Sequence, residues 1–274
     1  RVDYRRRARS LGQYETSWAL ALLVGAPVVA VLINLFGWRG PFVAIALACV
    51  LAAVLVAVTL PAPAKEAGLE PVGTEFGTDT PPQGPTRITV RAWLVMVGSA
   101  TTAMAGLSVF VVSGSWLDDA FGVSTGGVGA VAMLFGATEL VSSLGSAAFA
   151  DRLGKLRTTL GGLGALLAGL AVMISADARL WIGIVGIVVF LLGFELAFVV
   201  SLSLVSESMP NARGTTLAAS NAVGTVARAS GAVLSGWLYG IHGIAGTAVL
   251  SAAAAAVAVM TLLLSRRPSL AAAR

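Results

Sequence analysis

Apolar residues gather in eight long stretches, at about 16 to 37, 41 to 60, 92 to 112, 126 to 149, 158 to 175, 180 to 203, 215 to 239 and 244 to 264, with polar positions concentrated at the joints. A helix needs roughly 20 apolar residues to cross a hydrocarbon core about 30 Å thick, and its backbone must satisfy its own hydrogen bonds there. The pattern predicts eight membrane-crossing helices in an all-α, polytopic bundle. Most joints are short. The exception is 61–90, which holds six of the ten prolines and four acidic residues and is expected to be a poorly ordered linker. It divides the chain into 1–60, with two spans, and 91–274, with six.

Composition places the chain in lipid. Of 274 residues, 57% are hydrophobic and 11% charged, against about 25% charged in a soluble domain; mean hydropathy is +0.89. Cys49 stands alone in an apolar run and can form no intrachain disulfide. The chain opens at Arg1 with no initiator Met and no signal peptide, and is read as lacking its true N-terminus.

Charge then sets orientation. Arg1, Arg5, Arg6, Arg7 and Arg9 precede the first span, and Lys65, Arg87 and Arg91 fall in the linker region. Arg152, Lys155 and Arg157 join the fourth and fifth spans, Arg213 the sixth and seventh, and Arg266, Arg267 and Arg274 follow the last. Fifteen of the eighteen basic residues thus share one face; Arg39 and Arg179 lie on the other and Arg228 inside a span. Cytoplasmic loops retain Lys and Arg, so both chain ends are expected in the cytoplasm. Basicity spread over separate loops of one face also excludes a nucleic-acid partner. Trp38, Trp93, Trp116 and Trp181 fall near span ends, where indole rings favour the membrane interface.

Charges within spans are few, and each costs roughly 2.5 to 3.5 kcal/mol at the bilayer centre unless it faces a bundle interior or a watery cavity. Glu139 and Arg228 sit near the midplane, about 20 Å from the start of their spans, and Glu195 about 12 Å from the cytoplasmic end of its own. Two readings stand at this point. The carboxylates are proton-titratable groups whose affinity rises with desolvation and falls beside Arg228, or the same charges are fixed ion pairs holding helices together. Asn221 lies two helical turns before Arg228 on a span rich in small residues, and either lines a pathway or bonds neighbouring helices. That small-residue span is expected inside the bundle, and the last span, nearly all Ala, Val, Leu and Met, is expected to face lipid. Glu15 opens the first span, where the helix dipole alone favours an acidic residue. Asp118 and Asp119 read as solvated outer-loop charges. No cofactor or metal is expected: the glycines form no GxxxxGK[ST] phosphate loop, and the lone His242 has no clustered ligands around it.

A weak repeat pairs residues 7–26 with 213–232, setting Arg7 on Arg213, Leu11 on Leu217, Ala21 on Ala227, Gly25 on Gly231 and Ala26 on Ala232. Parallel repeats of this kind occur in transporters.

The segment ADRLGKLRT, 150–158, resembles the cytoplasmic loop motif of the major facilitator superfamily, with Asp151, Arg152, Gly154, Lys155 and Arg157 matching and Ala147 in place of the glycine four residues before the Asp. An Asp at a helix end beside Arg and Lys, with Gly making the reversal, can form a charge cluster that fastens neighbouring helix ends in one state. RARSLGQYETSWALALLVGAP, FGWRGPF, GATELVSSLGSAAFADRLGK and FELAFVVSLSLVSESMPNARGT resemble the drug and sugar efflux branch of that superfamily. Gly25-Ala26-Pro27 stands where the antiporter signature has adjacent Gly and Pro.

The resemblance implies that the eight spans are equivalent to helices 5–12 of a twelve-helix fold. On that register, 1–60 ends the N-terminal half, 61–90 is the central cytoplasmic linker and 91–274 is the C-terminal half. It implies a plasma-membrane secondary transporter exporting a small hydrophobic, drug-like or sugar-like compound against protons by alternating access. Glu139, Glu195, Arg228, Asn221 and Glu15 are the transport candidates, and the Asp151–Arg157 loop is a conformational latch. Its partners are the lipid bilayer, the substrate, protons and the missing N-terminal helices. The rival reading is a non-transporting membrane scaffold or sensor. An intramembrane enzyme is not supported, since the spans carry no nucleophile and base pair and no metal cluster.

Overall fold

The computed structural model describes residues 21–59, 88–176 and 179–266, with backbone only at 21–22, 143–144, 146–151 and 211. Glu15 and all but 88–90 of the linker segment lie outside the described residues. Within them the fold is all helical. A π-type turn, Ala21–Gly25, leads into α1, Ala26–Phe36, where Pro27 has no N–H to continue the hydrogen-bond ladder. Gly37, at φ 70°, ends α1, and α2, Gly40–Thr59, follows after a loop in which Arg39 lies 5.0 Å over the Trp38 ring.

The larger unit is built from α3, Val90–Phe121, α4, Thr125–Leu153, α5, Lys155–Ile174, α6, Leu180–Ser208, and α7, Arg213–Leu264. Thr89 caps α3, its hydroxyl accepting the Ala92 N–H at 3.2 Å. Six of these helices, α2 to α7, are long and apolar enough to cross a membrane; the described part of the first apolar run is shorter. At 52 residues α7 would measure about 78 Å if straight, more than twice the thickness of a hydrocarbon core.

It is not straight. Gly243 sits at φ 59°, ψ −151° inside α7, a region that is essentially glycine-only. The Ser235 hydroxyl donates to Thr247 Oγ1 at 3.4 Å although the two are 12 residues apart, a separation of about 18 Å along a continuous helix. The chain doubles back at Gly243 into two antiparallel arms, 213–242 and 244–264.

Both arms pack on α3. Ser235 donates to the Ser108 carbonyl and Ser251 to the Ala105 carbonyl at 2.8 Å, tying each arm to the same stretch of α3. A Cβ at Gly231 would lie 2.8 Å from Met104 Cγ, and one at Gly98 2.8 Å from Leu262 Cγ, the close approach that small residues permit between membrane helices. Small residues join α5 to α6 in the same way: a Cβ at Gly169 would sit 2.3 Å from the Phe190 amide nitrogen and one at Gly193 2.3 Å from that of Leu166. The α1–α2 pair rests on α4 through Ala30, which lies against Gly129, while α2 itself buries only Pro41.

Several expectations are corrected. The last arm does not simply face lipid: it buries Ala248, Ser251, Ala255, Ala258 and Leu262 along one helical face, because small side chains let α3 approach. α3 runs on through Asp118 and Asp119, which therefore occupy its final turns instead of a loop, and Asp119 accepts the Tyr239 hydroxyl at 2.7 Å. Trp116, five residues before the end of α3, faces protein and is 5% exposed, meeting Phe121 edge to face at 5.2 Å. Trp38, Trp93 and Trp181 are exposed.

Candidate functional site

Two adjoining cavities run through the unit formed by α3, α4, α6 and α7. One, of about 650 Å³, reaches from the end of the bundle bearing Gly214 and Leu217 up to Arg228. The other, of about 370 Å³, continues past Arg228 to Phe110 and Phe135. Ala103, Phe198 and Arg228 line both.

The in-span charges converge here. Glu139, Glu195 and Arg228, from three different helices, line the smaller cavity together. Glu139 lies 14 residues from either end of α4. Arg228 lies 15 residues from both Arg213 and the Gly243 break. Glu195 is 13 residues from the Ser208 end of α6, about 20 Å in, deeper than the sequence estimate because α6 continues past 203. Each charge is thus near the midpoint of its own helix or arm, and each is only partly buried. Arg228 donates to the Thr225 hydroxyl at 3.2 Å. Asn221 lines the larger cavity, on the side of α7 that leads to Arg228. An arrangement of two carboxylates and a permanent cation around a partly open cavity can exchange protons or contact a polar group without exposing charge to lipid.

The walls are aromatic in a way the sequence reading missed. Phe194 and Phe198 stack at 5.6 Å, and Phe110 meets Phe135 at 5.9 Å in a tilted contact. The available signal was the spacing F-E-x-x-F at 194–198, which puts the two rings on one helical face, with Glu195 three residues before the second.

At the basic end of the bundle, Gly154 alone separates α4 from α5, at φ 84°, which explains why a glycine stands in that motif. Lys155 forms an ion pair with Glu207 at the end of α6. Arg152 and Arg157 are exposed, and the Asp151 side chain lies outside the described residues. Lys155, Arg157, Glu207 and Arg266 surround one shallow cavity. Glu207 is therefore a member of the loop cluster that was not assigned from sequence; its signal was an acidic residue at a helix end on the face that carries most of the basic residues. Among the described residues no group of His, Cys, Asp and Glu could hold a metal ion.

Long apolar helices around a central charged cavity define an integral membrane protein of the polytopic helical class. The chain belongs to the Major Facilitator Superfamily, whose family model matches it over residues 2–232 and again over 95–274. It is 27% identical over 259 residues to the uncharacterised MFS-type transporter YwfA of Bacillus subtilis (strain 168), covering 92% of this chain and 61% of that protein. The chain thus spans about three-fifths of the length of this relative. Its fold is similar to that of a bacterial homologue of the iron transporter ferroportin crystallised in an inward-facing state, with a TM-score of 0.64 at 14% identity, over 97% of this chain and 65% of that one.

Proposed function

We propose that this chain is the greater part of a secondary active transporter that exports a small hydrophobic or sugar-like compound in exchange for protons by alternating access. Its eight helical runs correspond, on this reading, to helices 5–12 of a twelve-helix molecule, with the basic end in the cytoplasm, as the positive-inside rule requires. Further helices of the same transporter complete the other wall of the cavity, and the protein resides in the plasma membrane. One observation carries the reading: Glu139, Glu195 and Arg228 line one cavity, each near the middle of its own helix or arm.

The roles follow from chemistry. Protonation of Glu139 or Glu195 removes a negative charge beside Arg228, and substrate entry competes with that proton for the same space. Arg228 keeps its charge and serves as counter-charge. Asn221 contacts substrate on the way in, and Glu15 is a lesser candidate in the first span. The Asp151–Arg157 loop, through Lys155 and Glu207, fastens helix ends in one conformational state.

The test is proton-gradient-driven efflux from cells or proteoliposomes carrying the complete transporter. Glu139→Gln is expected to abolish coupling to the pH gradient while leaving the protein in the membrane. Wild-type efflux that persists unchanged in Glu139→Gln would remove Glu139 from the mechanism. An absence of flux for any compound would leave the charges as helix fasteners in a non-transporting scaffold.

A further inference from the structure

We propose that Phe194 is a shutter at the entrance to the smaller cavity, just past its junction with the larger one, and that Gly106 provides the recess in which its ring is parked. The order of residues along each wall sets the geometry. Passing up α6 from the basic end, Leu202 and Phe198 border the larger cavity, then Phe198, Phe194 and Leu191 border the smaller. On α3 the larger cavity ends at Ala103, and the smaller begins at Ala103 and Gly106. The two cavities meet at Ala103, Phe198 and Arg228, and Phe194 and Gly106 stand about one helical turn beyond that junction, at the entrance to the smaller cavity.

At that level Phe194 is boxed in on two sides. Its ring stacks on Phe198 at an interplanar angle of 16°. On the other side it lies so close to α3 that a Cβ added to Gly106 would come within 2.2 Å of the ring carbon Cε2 and 2.6 Å of Cζ. Those atoms are the far end of a rotatable side chain, so an added methyl group moves the ring and not the backbone. With Phe198 on one face and α3 on the other, the open direction is the smaller cavity that Phe194 already lines. The ring in its recess leaves the passage open; the ring turned outward narrows it, beside Glu139, Glu195 and Arg228. Phenyl rings rotate between such positions without breaking hydrogen bonds, as a gating element requires.

This shutter deepens the transport reading, which supplies its purpose, but its test does not depend on flux. In a Cys49→Ser background, single cysteines replace Leu191, beyond the shutter, and Ala218, before it. Membrane vesicles are exposed to an impermeant thiol reagent from the side of the basic end, without substrate or gradient, and labelling rates are read by mass shift. Phe194→Ala is expected to speed labelling of Leu191→Cys several-fold, and Gly106→Ala to slow it several-fold, with the Ala218→Cys rate unchanged in both. If Gly106→Ala does not accumulate in the membrane, Phe194→Trp replaces it, with the same slowing expected. Equal Leu191→Cys rates in all backgrounds would overturn the shutter, as would Ala218→Cys rates that change in step with them. Missing efflux with the expected labelling pattern would sink the transport reading alone; normal efflux with flat labelling would sink the shutter alone.

Discussion

Ser235 and Thr247 are 12 residues apart in sequence and within 3.4 Å in space, facing each other across the reversal at Gly243. The contact shows that the stretch 213–264 is a helical hairpin, broken at Gly243, whose two arms grip α3. It also fixes the position of Arg228, halfway between the basic end and the reversal.

Gly243→Ala forces a Cβ into a backbone region that side chains avoid, and should cost about 1–3 kcal/mol. Gly240→Ala, where the added Cβ meets nothing within 4 Å, should be neutral or slightly stabilising. Thermal unfolding of the two variants in detergent compares them, and equal melting temperatures would contradict the account of the reversal.

The α5–α6 seam gives a second paired comparison. Gly193→Ala places a methyl group 2.3 Å from the Leu166 backbone nitrogen; backbone cannot swing aside, so the helices must separate at a cost of about 1–3 kcal/mol or more. Gly164→Ala, on the same helix pair with open space beside it, should raise stability by up to about 1 kcal/mol. Yield in the membrane and melting temperature both report the difference.

Trp116 and Trp181 differ in burial, at 5% and 65% exposed. Truncating Trp116 to Ala empties a packed site against Phe121 and Gly183 and should cost about 3–5 kcal/mol. Trp181→Ala should leave the melting temperature nearly unchanged. Similar losses at both positions would mean that Trp116 is no more tightly packed than its exposed counterpart.

Lys155 and Glu207 are 34% and 53% exposed in their side chains, so breaking the pair should change stability by less than about 1 kcal/mol. Its expected consequence is on the distribution between conformational states. Lys155→Glu should alter efflux, and the charge-exchanged pair Lys155→Glu with Glu207→Lys should restore it. Restoration by the exchange, with melting temperatures constant throughout, separates a latch from a structural brace.

The candidate site was legible in part. Glu139, Glu195 and Arg228 stood out because a charge in an apolar run is costly enough to demand a watery or paired environment, and that argument needs no knowledge of which helices touch. Phe194 and Phe198 did not stand out, since a phenylalanine in a membrane helix is equally at home against lipid, a neighbouring helix or a cavity. Gly106 was one of 32 glycines, and only the ring lying against it distinguishes it. Glu207 needed its partner Lys155, 52 residues away.

Composition and run length by themselves determined that the protein is an all-helical membrane protein, approximately where its helices run, and which charges lie deep within them. Tertiary structure alone decided which side of each helix faces protein: the burial of Trp116, the packed face of the final arm and the aromatic lining of the cavity. The reason lies in the solvent. In water an inward face is apolar and an outward face polar, so periodicity marks the core; in lipid both faces are apolar, and the inner one is distinguished only by fit between small and large side chains that meet when the helices pack.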